Sequence, residues 1–109
     1  NFPVAEGIVV AAIKVDTSYL VVIRNDTDRP LENVHVSGGG CDEAIHLIPP
    51  GKSAEVSLKF KKDGILLLKA DNGSRRISGT IDGYVTRNKW ADIQVIINPD
   101  GSMTVSDID

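Results

Sequence analysis

The clearest periodicity runs from Ser53 to Lys61: Ala54, Val56, Leu58 and Phe60 alternate with Ser53, Glu55, Ser57, Lys59 and Lys61. A period of two is that of a strand with one covered and one wet face. Ala91, Ile93, Val95 and Ile97 alternate with Asp92, Gln94 and Asn98 in the same way, with Ile96 interrupting the polar side. The Leu66-Leu67-Leu68 run predicts a strand covered on both faces. Extended along the chain, the pattern predicts strands over 7–15, 18–25, 31–37, 43–48, 53–60, 64–70, 74–82, 91–98 and 102–106.

The intervals carry turn chemistry. Asn72-Gly73 and Asp100-Gly101 supply the positive φ that two-residue hairpin turns require. Pro49-Pro50-Gly51 removes backbone donors and forces an irregular connection, and 26–30 separates two further strands. With Asn72 and Gly73 at the turn centre, Leu68 faces Ile77 and Lys69 faces Arg76. A turn around residues 38–42 sets Val36 against Ile45, Val34 against Leu47 and His35 against His46. Strands at this spacing with no long linker predict one all-β domain over 1–109, with 1–6 as an N-terminal linker.

Composition agrees. Val and Ile number 24 against 14 for Leu and Ala, and β-branched residues lose less on a pleated strand than on a helix. The single cysteine, Cys41, excludes an internal disulfide, so the core must carry the stability. The uncharged apolar run from Gly7 to Ile13 is far shorter than the roughly 20 residues a membrane-spanning helix needs.

Residues 20–60 then show a cadence: the run Val22-Ile23-Arg24-Asn25-Asp26-Thr27-Asp28-Arg29-Pro30-Leu31-Glu32-Asn33-Val34, then Ile48-Pro49-Pro50-Gly51-Lys52-Ser53 and a strand. This succession of strand, Asn-rich turn, strand, proline-glycine turn and strand resembles immunoglobulin-like and fibronectin type III-like domains. The resemblance implies an immunoglobulin-like antiparallel β-sandwich of about 7 to 9 strands, used as a binding, spacer or adaptor module, often outside the cytoplasm. The chain departs from true immunoglobulin domains in lacking a second cysteine and an early core tryptophan.

Candidate chemistry is sparse. His35, Cys41, His46 and Met103 stand in the order of a blue-copper ligand set, but Met103 lies far beyond the loop that would have to hold it. His35 and His46, as cross-strand neighbours, form a candidate metal pair, with Cys41, Asp42 or Glu43 needed to complete a tetrahedral shell. Cys41 with His46 lacks an orienting partner for nucleophilic catalysis. Gly38-Gly39-Gly40 lacks the Lys-Ser/Thr and helix of a phosphate cradle and reads as a flexible hairpin tip. No catalytic constellation remains, so the chain is expected not to be an enzyme and to need no cofactor.

Residues 52–76 hold seven bases and three acids. If strands 53–60, 64–70 and 74–82 are neighbours, Lys59, Lys61, Lys69, Arg75 and Arg76 gather into a basic patch. With an overall pI near 5.3 and no stacking aromatics on it, nucleic acid is not the expected partner. The segment 83–90 holds the only Trp and one of two Tyr residues. Tyr84, Arg87, Lys89 and Trp90 are of the types enriched in interface hot spots, although a lone Trp before a strand commonly lids a core. Asn25-Asp26-Thr27 and Asn72-Gly73-Ser74 match the glycosylation pattern and are also explained as turns.

The expectation is therefore a non-catalytic binding or adaptor module of a bacterial envelope or secreted protein, located outside the cytoplasm (periplasmic, surface-tethered or secreted). It would meet another protein or envelope component through Tyr84, Arg87, Lys89 and Trp90. Alternatives are a periplasmic metal-handling protein using His35 and His46, or an accessory domain of a larger enzyme.

Overall fold

A computed structural model describes residues 19–108. The predicted strand 7–15 and the linker 1–6 lie outside these residues. Eight strands follow: β1 (Tyr19–Asn25), β2 (Leu31–Gly38), β3 (Cys41–Ile48), β4 (Ser53–Leu58), β5 (Gly64–Asn72), β6 (Arg75–Val85), β7 (Ala91–Ile97) and β8 (Met103–Asp107). They form two four-stranded sheets, ordered β4-β1-β7-β8 and β3-β2-β5-β6. Pairing is antiparallel except between β1 and β7, which run parallel. The fold is all-β and sandwich-like. Among the described residues no helix is long and apolar enough to cross a membrane.

The core lies between the sheets. Tyr19, Val21 and Ile23, Val56 and Leu58, and Ile93, Val95 and Ile97 come from one sheet; Leu31, Val34, Val36, Ile48, Leu66, Leu68, Ala70, Ile77, Ile81 and Val85 come from the other. Strand β1 is central in its sheet, which explains its unbroken apolar run: Tyr19, Leu20, Val21 and Ile23 are all buried. The leucine run of β5 behaves differently. Leu66 and Leu68 are buried while Ile65 and Leu67 face outward, exposed, so this strand is covered on one face and not on two.

Three hairpins depart from the expected registers. In β5–β6 the central turn residues are Gly73 and Ser74, pairing Asn72 with Arg75, Asp71 with Arg76 and Ala70 with Ile77. Gly73 has φ 67 and Ser74 is not in the left-handed region, as a type II′ turn requires. The expected pairing of Lys69 with Arg76 gives way to Lys69 opposite Ser78 and to an Arg76 Nε–Asp71 Oδ1 ion pair of 2.8 Å. In β7–β8, Gly101 N–H donates to the Asn98 carbonyl (2.8 Å) and Asn98 N–H to the Ser102 carbonyl (2.8 Å). That makes a three-residue loop with Pro99 entering the turn and Gly101 at φ 90, rather than a two-residue one.

In β2–β3 the two-residue turn is Gly39-Gly40, with φ 59 and 85. His35 therefore lies opposite Ala44 and not His46, and Val34 lies opposite Ile45. An extra residue, Asn33 at φ 50, shifts the register of β2 against β5 from Glu32↔Asp71 to His35↔Lys69. This is a β-bulge, and Asn is among the few non-glycine residues that take that conformation. Its amide holds Asp71 Oδ2 at 3.2 Å.

Candidate functional site

The turn and connections at one end of the two sheets are knit together. The Gly39 carbonyl accepts N–H groups of Lys61 (2.8 Å) and Lys62 (3.2 Å), which ties the β2–β3 turn to the β4–β5 connection. A Cβ on Gly38 would lie 2.0 Å from the Ile65 carbonyl oxygen, and one on Gly39 2.5 Å from Phe60 Cδ1. The triple glycine is thus an anchored close approach of backbone to backbone and ring, not the free tip its composition suggested. Cys41 is half-buried, with Sγ 3.0 Å from the Lys59 carbonyl oxygen.

On this end sits the segment that sequence reasoning singled out. Tyr84 is the penultimate residue of β6, and its hydroxyl donates to Asp63 Oδ2 at 2.8 Å, which pushes the phenol pKa up. Lys89 N–H donates to the Thr86 carbonyl (3.1 Å), closing a turn with exposed Arg87 and Asn88 at its centre. The Lys89 ammonium reaches back to the Tyr84 carbonyl (2.9 Å) and to Asp82 Oδ2 (2.9 Å). Asp82 also accepts the Tyr19 hydroxyl at 2.8 Å and the Tyr84 N–H at 3.2 Å. Burial works to raise the Asp82 carboxyl, and these donors, Lys89 foremost, outweigh it and hold the group below the usual carboxylate range. Burial first, then Asp82, pushes the Tyr19 hydroxyl well above its ordinary value.

The four expected partner residues therefore divide. Tyr84 and Trp90 each keep 58% of their surface exposed, so Trp90 is not a core lid. Arg87 is exposed at the turn centre, whereas Lys89 is a strut that holds the loop against Asp82. Sequence reasoning missed Tyr19 and Asp82, whose partnership joins residues 63 positions apart and has no local signal.

The histidines are both exposed. His35 Nδ1 lies 3.5 Å from Asp42 Oδ1, and the register sets Lys69, a cation, beside it. Among the described residues no group of three or more His, Cys, Asp or Glu stands together as a metal shell. The expected basic patch is also divided. Strand β4 belongs to the other sheet from β5 and β6, so Lys59 is separated from Lys69, and Arg76 is paired with Asp71.

At the opposite end lies a buried polar cluster. Asn25 is fully buried; its Nδ2 donates to the Arg29 (2.7 Å) and Ile48 (2.9 Å) carbonyls, and its Oδ1 accepts the Thr27 N–H (2.9 Å). Thr27 Oγ1 lies 2.7 Å from Asn25 Oδ1 and receives Asn72 Nδ2 at 3.0 Å. Asn72 Oδ1 accepts Arg75 at 2.6 Å. Both asparagines of the glycosylation patterns thus have their amide nitrogens buried and occupied in the folded chain.

No protein-family model and no curated protein matches the chain. An NMR structure of a protein from Eubacterium rectale is similar, with a TM-score of 0.58 at 13% identity, covering 84% of this chain and 88% of that one. At that identity the likeness shows a shared fold and nothing beyond it.

Proposed function

We propose that this chain is a non-catalytic binding or adaptor module with an immunoglobulin-like sandwich, belonging to a bacterial envelope or secreted protein and working outside the cytoplasm. The observation that carries this reading is the pair of half-bare rings, Tyr84 and Trp90, on a segment locked by Lys89 and Asp82. A rigid loop presents aromatic area with little ordering entropy left to lose on binding, which is what an interaction surface needs. Arg87 beside them adds a planar donor for charge-assisted hydrogen bonds. The immunoglobulin-like assignment is supported by the two stacked sheets and by chain crossings between them at β1 to β2, β3 to β4, β4 to β5 and β6 to β7.

The test pairs thermal melting with crosslinking recovery from an envelope extract of the source cell, for wild type, Trp90→Ala and Arg87→Ala. The reading expects a component recovered by the wild type and lost by both variants while their melting is unchanged. Equal recovery by all three overturns this surface as the site.

A further inference from the structure

Strand β1 is apolar on both of its faces, and the core between the sheets accounts for only one of them. Tyr19, Val21 and Ile23 belong to that core. Leu20, paired with Ser57 and Asp92, and Val22, paired with Glu55 and Gln94, fall on the opposite, outer face of the β4-β1-β7-β8 sheet. Ile96, which interrupts the polar side of β7, stands on that face too, opposite Arg24.

Leu20 is nevertheless only 7% exposed. Leu67 is the matching position in the other sheet: it points outward from the central strand β5, between Ser37 and Thr80, and is 37% exposed. Both leucines have short flanking side chains, so the difference comes from what lies above the sheet. Glu55 Oε1, on the same face as Leu20, is also buried and has no hydrogen-bond partner among the described residues.

We infer that residues 7–15 of this chain lie over this face, on Leu20, Val22 and Ile96, with the Lys14 ammonium directed at Glu55 Oε1. Only Asp16, Thr17 and Ser18 separate the segment from Tyr19, where the face begins, and three residues reach roughly 10 Å, the separation of packed layers. The uncharged run from Gly7 to Ile13 suits an apolar seat. Charge fits as well. Lys14 is the only Lys or Arg before Tyr19, and the near end of the face carries Glu55 and Asp92, whereas Arg24 at the far end is already paired with Asp26 at 2.6 Å. Burial pushes the Glu55 carboxyl up, and an ammonium beside it offsets part of that cost.

A second copy of the chain is the rival occupant. A two-fold contact through this face sets the same two acids and the same already paired base on both sides, so it brings Glu55 no free cation and leaves the run 7–13 without a seat.

The experiment uses the full 109-residue chain with labelled Ile, Leu and Val methyls. Expected are intramolecular NOEs from the Leu20 and Val22 methyls to those of Ile8, Val9, Val10 or Ile13. Their absence overturns the inference. So does their appearance only in the isotope-filtered spectrum of a mixed labelled and unlabelled sample, which assigns the face to a second copy. Lys14→Gln should lower the melting temperature by about 2–5 °C and change nothing in a Glu55→Gln background. An equal loss in both backgrounds overturns the Lys14–Glu55 pairing. A rise in melting temperature for Glu55→Gln alone does the same, because removing a buried carboxylate stabilises when no cation stands beside it.

Discussion

The Tyr19 hydroxyl donates to Asp82 Oδ2 at 2.8 Å, joining β1 of one sheet to β6 of the other. Tyr19 is fully buried, with its ring edge-on to Phe60 at a centroid distance of 5.0 Å, so the bond crosses the core and ends on the carboxylate that also holds Lys89. Removing the hydroxyl should leave the ring packing intact and weaken only the polar tie. Tyr19→Phe is expected to cost about 1.5–3 kcal/mol, the range for a hydrogen bond to a charged group. Urea unfolding checks this, with an unchanged m-value as the sign that only the folded state was altered.

Acid should act through the same carboxylate. The folded Asp82 carboxyl sits below its ordinary value because the donors Lys89, Tyr19 and Tyr84 outweigh the desolvation that would raise it. A depressed acid contributes stability that is fully present above the unfolded pKa and lost as pH falls through the folded one. Asp71, held down chiefly by Asn33, and Asp100, held down by Ser102, act in the same sense. Glu55 acts oppositely: desolvation raises it, so its contribution is lost as pH rises through the folded value. Melting temperatures should fall on acidification below the ordinary carboxylate range, and Asp82→Asn should show a shallower fall than wild type.

The buried asparagine cluster predicts an ordering of variants. Asn25→Ala strands the Thr27 N–H and the Ile48 carbonyl and is expected to cost about 2–4 kcal/mol, since each buried group left unpaired costs about 1–3 kcal/mol. Asn25→Asp keeps the Oδ1 acceptor but turns an anion onto two carbonyl oxygens, so at neutral pH it should be no more stable than Asn25→Ala. Chemical denaturation of the two variants side by side gives the order.

Two glycines separate backbone strain from crowding. Gly51 has φ 77 with open space around the position of a Cβ, so Gly51→Ala should cost about 1–2 kcal/mol, the penalty for a left-handed L-residue. Gly39 at φ 59 adds a collision with the Phe60 ring, and Gly39→Ala should cost more than Gly51→Ala. Equal melting temperatures for the two would show that the β2–β3 turn is not clamped on Phe60.

Trp90→Ala should leave stability within about 0.5 kcal/mol of wild type, because substitutions on the surface away from caps and networks rarely do more. A larger loss in calorimetry would return the indole to a structural role.

The strands were legible in the sequence because alternation and turn residues are local. Val56, Leu58 and Phe60, and Ile93, Val95 and Ile97, are buried on the side their period assigns, with Ala54 and Ala91 half-buried against the same core, and all eight strands fall where apolar runs and breakers place them. Register was less legible. Which two residues of Asn72-Gly73-Ser74 form the turn depends on a II′ or a I′ geometry, and that choice decides whether Arg76 faces Lys69 or Asp71. The β2–β3 register moved in the same way once Gly39-Gly40 became the turn, which separated His35 from His46.

The exposed rings of Tyr84 and Trp90 could be nominated from residue type alone, but their exposure could not, since a tryptophan beside a strand fits a core lid equally well. Only the tertiary structure decided how the strands divide between sheets, and with it the parallel pairing of β1 and β7, the one-sided burial of Leu66-Leu67-Leu68 and the separation of Lys59 from Lys69. The physical reason is range. Propensity, alternation and turn chemistry act over a few residues, whereas Tyr19 with Asp82 and Asn25 with Ile48 are long-range pairings, favourable only after the core between the sheets has closed and excluded water.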